Sequence, residues 1–238
     1  YNGDAREYTY KVVKSEIESD GDVELKTTEE VASFAATKTT VVKGNLIIGS
    51  DAEEAEKITD ISALASLKEV TGNIVIRNSY NGADLTGLDN IVSAGGLQVG
   101  STDVASKATE LHMISMKALE TLSGDISVYN DQVTYVLFEK LATIGGSVMF
   151  NAPSLQSFEF PVLTTVGQDL NIQGLNEENK AAGTIATLEL PELTSVVGVL
   201  SVNNLAKLTS MNFLKLKETG GLDFHTVPVM LELSLIHI

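Results

Sequence analysis

The chain has no cysteine, no tryptophan and few basic residues. Without cysteine it has neither a disulfide framework nor thiolate ligands for a metal. Its 16 basic residues stand against 32 acidic ones, which argues against nucleic acid or an anionic membrane as a partner, because both require a basic surface. No stretch approaches the roughly 18 consecutive apolar residues of a membrane helix. The lack of tryptophan also weakens glycan binding through ring stacking.

The familiar catalytic motifs are also missing. The sequence contains no G-x-S-x-G, no H-E-x-x-H and no glycine loop followed by G-K-[ST], and its three histidines are His112, His225 and His237. These motifs place nucleophiles, zinc ligands and phosphates respectively. We therefore expect a protein that is not an enzyme and that carries no cofactor and no metal.

The chain does contain an internal repeat. The stretch from Val133 to Gly174 carries the same pattern twice, 22 residues apart, so that Val148 and Phe150 recur as Leu170 and Ile172. A fixed period of this length is typical of a solenoid, in which each repeat stacks on its neighbours.

A glycine marker followed by apolar residues two and four positions later extends this repeat along the chain. The marker spacings are 28, 23, 29, 22, 22, 30 and 22, which indicates a basic coil of 22 or 23 residues with insertions in three coils. Only Gln168 departs from glycine. The markers are Gly44, Gly72, Gly95, Gly124, Gly146, Gln168, Gly198 and Gly220.

The alternating apolar pairs predict a short strand in each coil, with one face inward, because side chains of a strand alternate with period two. These pairs are Leu46 and Ile48, Ile74 and Ile76, Leu97 and Val99, Ile126 and Val128, Val148 and Phe150, Leu170 and Ile172, Leu200 and Val202, and Leu222 and Phe224. A second strand is predicted before Pro161 and before Pro191, since proline ends a strand. We expect an all-β, right-handed parallel β-solenoid of about eight coils, with two strands and two corners in each coil.

Two residue types are predicted to shape the corners. Glycines fit a tight corner that needs positive φ or close approach of the neighbouring coil. Asparagines follow the main strand, where this residue tolerates the left-handed conformation and bonds its own backbone; they are Asn78, Asn130, Asn151 and Asn203.

Residues 1–20 do not follow the repeat and are interpreted as a linker or the tail of a preceding module, with the solenoid at 21–238. The segment TYKVV within them is a possible cover for Ile47 and Val75. Thr27 and Glu30 form a capping box, and Val31, Phe34 and Ala35 supply an apolar stripe. Residues 27–36 are therefore predicted to be a capping helix, which an open solenoid end requires.

Three insertions follow Ile48, Val99 and Ile172, and all are predicted to be solvated loops that leave one corner of the coil. The first, GSDAEEAEK, is acidic and offers Asp51, Glu53, Glu54 and Glu56. Their spacing does not match the alternating ligands of a calcium loop, so a solvated loop is the preferred interpretation.

The combined pattern resembles the receptor L-domain superfamily. The likeness lies in L-x-x-F-x-F-P-x-L-x-x-V-G-x-x-L-x-I and in the segments GDVELKTTEEVASF, VVKGNLIIGS and ITDISALASLKEVTGNIVI. It covers residues 21–224 and is greatest with leucine-rich-repeat-like surface proteins of bacteria. It implies a β-solenoid displayed outside the cell for binding or adhesion. Receptor members of the superfamily have cysteines, whereas this chain has none and also lacks an N-x-S/T sequon.

The outward face of the main strands is the predicted binding surface, with a protein or glycan as partner and a monomeric domain. Its positions mix polar, aromatic and sulfur-containing side chains, types that include those enriched at interfaces. The candidate residues are Arg77, Gln98, Tyr129, Met149, Asn151, Asn171 and Gln173.

Two other functions stay open. A structural spacer or stalk would need no special face. A polysaccharide-active enzyme would need Asp125 and Asp169, which follow the marker by one position, point outward and lie two coils apart, at about 10 Å. That separation is just beyond the usual distance of an inverting carboxylate pair. Asn45 and Asn73 share the same position in their coils, which favours a merely solvated column.

Both chain ends give rise to expectations of their own. Tyr1 is not a start methionine, so we expect a fragment that lacks its signal peptide. Residues 233–238, LSLIHI, match what one frame of a transposon mosaic-end sequencing adapter encodes. We therefore expect these six residues to be foreign to the natural protein, His237 to have no role, and further coils to follow.

Overall fold

The structure is a computed structural model that describes residues 16–100, 110–176, 178 and 180–228. It is mostly β, and all pairings between its named strands are parallel, as expected for coils that stack in one direction. One α-helix, α1 (Thr28–Ala36), and a 3-10 turn at Ser62–Leu64 interrupt the pattern. The strands are β1 (Val23–Leu25), β2 (Val41–Val42), β3 (Leu46–Ile48), β4 (Glu69–Ile76), β5 (Ser93–Val99), β6 (Met113–Ser115), β7 (Thr121–Leu122), β8 (Ile126–Tyr129), β9 (Tyr135–Leu137), β10 (Thr143–Ile144), β11 (Val148–Asn151), β12 (Ser157–Glu159), β13 (Thr165–Val166), β14 (Leu170–Gln173), β15 (Thr187–Glu189), β16 (Ser195–Asn203), β17 (Ser210–Asn212) and β18 (Glu218–His225).

The strands that the glycine markers predict form one line of parallel neighbours, here called the main line. It runs through β3, β4, β5, β8, β11, β14, β16 and β18, and Leu46 pairs with Ile74 as Val148 pairs with Leu170. The predicted register is confirmed for every apolar pair of the repeat. A ninth member, β1, precedes them and pairs with β3.

The second predicted strand of the coil is also confirmed. It forms a separate five-stranded parallel sheet, the second sheet, in the order β17-β15-β12-β9-β6. Its members β12 and β15 end just before Pro161 and Pro191. Phe158 on β12 packs edge-on against Phe150 of the main line, with ring centroids 5.0 Å apart. The main line and the second sheet thus enclose one continuous apolar core.

A third strand in each coil was not predicted. Two-residue strands such as β7, β10 and β13 stack in parallel and, with the first residues of the longer strands, form a line called the short line. The two-residue strands β7, β10 and β13 each bury a single apolar side chain, such as Leu122 in β7 or Ile144 in β10. Such a strand shows no alternation in the sequence, so the expected two strands per coil were too few.

Close approach, and not positive φ, explains the marker glycines. None of them has positive φ; the described glycines that do are Gly21, Gly49, Gly87 and Gly100. A Cβ on Gly72 would lie 2.7 Å from the carbonyl carbon of Gly44 in the preceding coil. The marker column is therefore glycine because successive backbones nearly touch at this corner.

The helix prediction is confirmed in detail. Thr27 is the N-cap, its side chain accepts from the N–H of Glu30 at 3.1 Å, and the Glu30 carboxylate accepts from the N–H of Thr27 at 3.2 Å. Val31 and Ala35 are buried. The helix follows β1, however, and so lies inside the first coil and not before it.

The regions at the two chain ends are described in part. Near the N-terminus, Glu18 bridges to Val41 and Ser19 donates to the carbonyl of Val41 at 2.9 Å. Residues 16–20 thus extend the short line by one step. Residues 1–15 with TYKVV, most of the second insertion and residues 233–238 lie outside the described part.

Candidate functional site

Six of the seven candidate residues lie together on the outward side of the main line. The register aligns Gln98, Met149 and Asn171 in one column with Ser127, and Tyr129, Asn151 and Gln173 in the next. These six residues are called the front patch. Side chains on neighbouring parallel strands are about 4.8 Å apart, so the front patch is one continuous surface across four strands.

The front patch is more buried than an open sheet face. Tyr129 is only 8% exposed, and burial raises the pKa of its hydroxyl. Gln98, Met149, Asn151, Asn171 and Gln173 are all half-buried. Tyr129 therefore offers little area of its own for contact.

Hydrogen bonds fix several of these side chains. Asn151 Oδ1 accepts from the backbone N–H of Leu175 at 2.9 Å, and Gln98 Nε2 donates to the carbonyl of Gly100 at 3.3 Å. Gln173 Nε2 lies 3.9 Å from the sulfur of Met149. Asn171 Oδ1 is buried, and it has no hydrogen-bond partner in the described part of the chain. A buried acceptor without a partner is costly and uncommon in native proteins.

Arg77 lies outside the front patch and serves a different contact. Its Nη1 atom is 2.8 Å from Asp51 Oδ2, and Asp51 Oδ1 accepts from the N–H of Asn78 at 3.1 Å. The guanidinium thus binds the first insertion, whereas the other six candidates lie in the front patch, and a binding role of Arg77 stays a prediction.

A polar network continues the outward face beyond the front patch. Asp223 Oδ2 accepts from Ser201 Oγ at 3.1 Å and from Asn203 Nδ2 at 3.2 Å, while Asp223 Oδ1 is 3.0 Å from His225 Nδ1. These contacts hold the pKa of Asp223 below its ordinary value, and the contact with His225 contributes most. Ser201 and Asp223 alternate with the inward apolar pairs of β16 and β18 and were not among the predicted binding residues.

Asp125 and Asp169, the pair that a polysaccharide-active enzyme would need, bind the backbone of the following coil. Asp125 Oδ1 accepts from the N–H of Ser147 at 2.7 Å, and Asp169 Oδ1 accepts from the N–H of Val199 at 2.8 Å. Asp22 and Asn45 make the same bond to the N–H of the residue in the following coil. These side chains form a row, called the corner ladder, that replaces strand pairing where the backbone turns.

The asparagines just past the main strands act in a similar way. None of Asn78, Asn130, Asn151 and Asn203 has positive φ, so the expected left-handed conformation was wrong. Asn203 Oδ1 instead accepts from the N–H of His225 in the next coil at 2.9 Å. Asn130 does bond its own segment, because its Oδ1 accepts from the N–H of Gln132 at 2.7 Å.

Sequence reasoning missed two further surface features. A groove of about 530 Å³ follows the short line, where the hydroxyls of Thr121, Thr143 and Thr165 stand in register. On the second sheet Glu159 pairs in register with Glu189, and its carboxylate accepts from the hydroxyl of Tyr135 at 3.1 Å. The recurrence of threonine three positions before the marker was visible in the sequence and could have revealed the groove.

The acidic first insertion contains no assembled metal site. Asp51 and Glu56 bind groups of the protein itself, Glu56 Oε1 by accepting from the N–H of Thr28 at 2.8 Å. In the described ranges no three histidine or acidic side chains converge as metal ligands. In the third insertion, Leu175 and Ala181 form an antiparallel bridge.

Comparisons with known proteins assign neither a family nor a function to this chain. Within the described ranges, each helix is too short or too polar to cross a bilayer. No family model, no curated protein and no solved structure matches the chain.

Proposed function

We propose that this chain is a binding or adhesion module displayed outside the cell, built as a right-handed β-solenoid of about eight marker-defined coils. The front patch is its binding surface, and the partner is a protein or a glycan. The resemblance to the receptor L-domain superfamily motivates both the handedness and the location. The domain acts as a monomer.

The observation that carries the proposal is the unpaired oxygen of Asn171. It lies beside Met149 in a half-buried surface where Gln98, Asn151 and Gln173 each make one side-chain hydrogen bond. Asn171 Oδ1 is buried, so this half-buried side chain must turn outward to meet a partner. A partner that then donates a hydrogen bond to Oδ1 and covers the Met149 thioether would satisfy the acceptor and bury apolar area together. Such central, desolvated contacts carry most of the free energy of an interface.

Rigidity also supports this role for the front patch. Each of its strands is paired on both sides, and the inward neighbours Val128, Phe150 and Ile172 are fully buried. A surface on such a scaffold loses little conformational entropy when a partner binds. The patch is also uncharged, although the net charge of the chain is −16. An uncharged patch favours a partner recognised by shape and hydrogen bonds over one recognised by ionic contacts.

The test is a screen followed by paired substitutions. The purified protein is exposed to arrays of glycans and of extracellular proteins, and the affinity of each hit is then measured for Asn171→Ala, Met149→Ala and Thr143→Ala. Thr143 is exposed on the short line and serves as the matched control. We expect the two patch variants to lose at least about tenfold in affinity and the control to bind like the wild type.

Three outcomes would contradict the proposal. Hits that bind all three variants equally would place recognition elsewhere, and the absence of any hit would favour the structural spacer. Polysaccharide turnover that Asp169→Asn abolishes would favour the enzyme.

A further inference from the structure

The first insertion, residues 49–57, contacts coils on both sides of its own. Gly49 donates to the carbonyl of Leu25 in the preceding coil at 2.8 Å. Ser50 and Ser79 of the following coil exchange two hydrogen bonds of 2.9 Å, one to the Ser79 hydroxyl and one to the Ser50 carbonyl. Because the insertion bridges the coils before and after its own, it is called the strap.

Two of the four acidic side chains of the strap extend these links. Near its start, Asp51 binds the guanidinium of Arg77 and the N–H of Asn78 in the following coil. Near its end, Glu56 Oε1 accepts from the N–H of Thr28 in the preceding coil at 2.8 Å. The strap therefore has one carboxylate fastened in each direction.

The bond from Glu56 meets a need of helix α1. Thr28 is its first residue, and the first four N–H groups of a helix have no partner within it. The capping box satisfies Glu30 N–H, and Glu56 satisfies Thr28 N–H from another coil. A carboxylate at a helix N-terminus is further favoured by the helix dipole, and this hydrogen bond holds the pKa of Glu56 below its ordinary value.

The other two carboxylates of the strap provide a contrast. All four acidic side chains are exposed, but the described part of the chain offers Glu53 and Glu54 no hydrogen bond or ion pair. All four residues carry the same charge within six positions of sequence. Attraction between an acidic loop and distant charges would affect all four, so the selective contacts of Asp51 and Glu56 identify a specific fastening.

We propose that residues 49–57 are a strap that fastens the N-terminal coil, with Glu56 and Asp51 as its two anchors. In the described part of the chain β1 has a main-line neighbour on one side only, namely β3, and a coil stacked on one side opens more easily than one stacked on both. Here β1 and α1 gain a second attachment, because the strap belongs to the coil after theirs and reaches back to them. Release of the anchors frees β1 and α1 while the central coils stay closed.

The test is hydrogen exchange on the whole chain, comparing Glu56→Ala and Asp51→Ala with Glu53→Ala. The control removes the same charge from the same loop. We expect Glu56→Ala to speed exchange of β1 and the first turn of α1 about two- to fivefold, and Asp51→Ala to do so around Asn78. In Glu53→Ala every amide should exchange at the wild-type rate. In all three variants the amides of β11 should do so as well.

A further variant separates fastening from general destabilisation. Glu56→Gln keeps an oxygen that accepts from Thr28 N–H, so the amides of α1 should exchange more slowly in this variant than in Glu56→Ala. Identical profiles for Glu56→Ala and Glu53→Ala would overturn the proposal. It would also be overturned if Glu56→Ala sped exchange in β11 as much as in β1, because the effect would then be global.

Discussion

The carboxylate of Asp125 accepts a hydrogen bond from the backbone N–H of Ser147 in the next coil, at 2.7 Å. Between Ile144 of the short line and Val148 of the main line the backbone turns a corner, and strand pairing is interrupted there. A side-chain oxygen takes the place of the missing carbonyl. Asparagine supplies the same oxygen at Asn45, which explains why both residue types occupy this position.

The corner ladder leads to a prediction for Asp125. Asp125→Ala removes the acceptor for Ser147 N–H and should lower the free energy of unfolding by about 1 kcal/mol. Asp125→Asn keeps the oxygen and should change it by less than about 0.5 kcal/mol. Urea denaturation of the two variants measures this. Equal losses would mean that the charge matters and the hydrogen bond does not.

The close approach of coils predicts a position effect for glycine. A Cβ on Gly146 would lie 2.7 Å from the carbonyl carbon of Gly124 and would also meet the Asp125 carboxylate, whereas a Cβ on Gly221 would meet its nearest atom, on Val199, at 3.5 Å. Gly146→Ala should therefore cost about 1 to 3 kcal/mol, as overpacking does. Gly221→Ala should be nearly neutral, and thermal unfolding of both distinguishes them.

The close approach of coils also explains why the marker at position 168 is Gln168 and not a glycine. The residue at the ladder position in the preceding coil is Ser147, whose hydroxyl donates to Gln168 Oε1 at 3.3 Å. Where an aspartate stands there instead, as Asp125 or Asp169, the next marker is Gly146 or Gly198 and the carboxylate occupies the space beside it. The sequence shows this correlation, but its cause is visible only when the two coils are stacked.

The inward and outward faces predict a third contrast. Val148 is buried and Ser147, its neighbour in sequence, is half-buried on the opposite side. Val148→Ala should cost about 2 to 4 kcal/mol if the surrounding coils cannot collapse. Ser147→Ala keeps the backbone N–H that bonds Asp125, loses only the hydroxyl bond to Gln168 Oε1, and should cost at most about 1 kcal/mol. Equilibrium denaturation decides this, and equal costs would contradict the assigned faces.

The sequence predicted those features that a repeated side-chain pattern records. The main line, its register, the second strand before Pro161 and the capping box at Thr27 all depend on apolar spacing or local chemistry, and all are confirmed. The short line was missed because its strands β7, β10 and β13 are two residues long and bury one residue each. The outward position of the front-patch residues follows once the inward ones are known, while their role in binding stays a prediction.

Contacts between coils that lack a repeated pattern were beyond sequence reasoning. Nothing in the spacing of Glu56 and Thr28, or of Arg77 and Asp51, indicates that they bind. Insertions differ in length and composition, so no second copy reveals their contacts. The burial of Tyr129 was missed for a related reason, since alternation gives the direction of a side chain and not what lies above it.

The last prediction concerns the effect of low pH on Asp22, the first side chain of the corner ladder. Asp22 Oδ1 accepts from the backbone N–H of Asn45 at 2.7 Å, and this bond lowers the pKa of Asp22 from its ordinary value of 3.8. A carboxyl whose pKa is lower in the folded state contributes stability above its unfolded pKa, and this contribution is lost as the pH falls through the folded value. We therefore expect the hydrogen bond at Asn45 N–H to be intact at neutral pH and to weaken only at a pH below 3.8.

The amide signal of Asn45 in NMR spectra measures this directly. In the wild type it should shift with a midpoint below 3.8, the ordinary pKa. In Asp22→Asn the acceptor oxygen does not titrate, so the signal should stay constant over the same range and the N-terminal coil should lose this part of its acid sensitivity. A wild-type midpoint above 3.8, or the same shift in Asp22→Asn, would show that another group controls this corner.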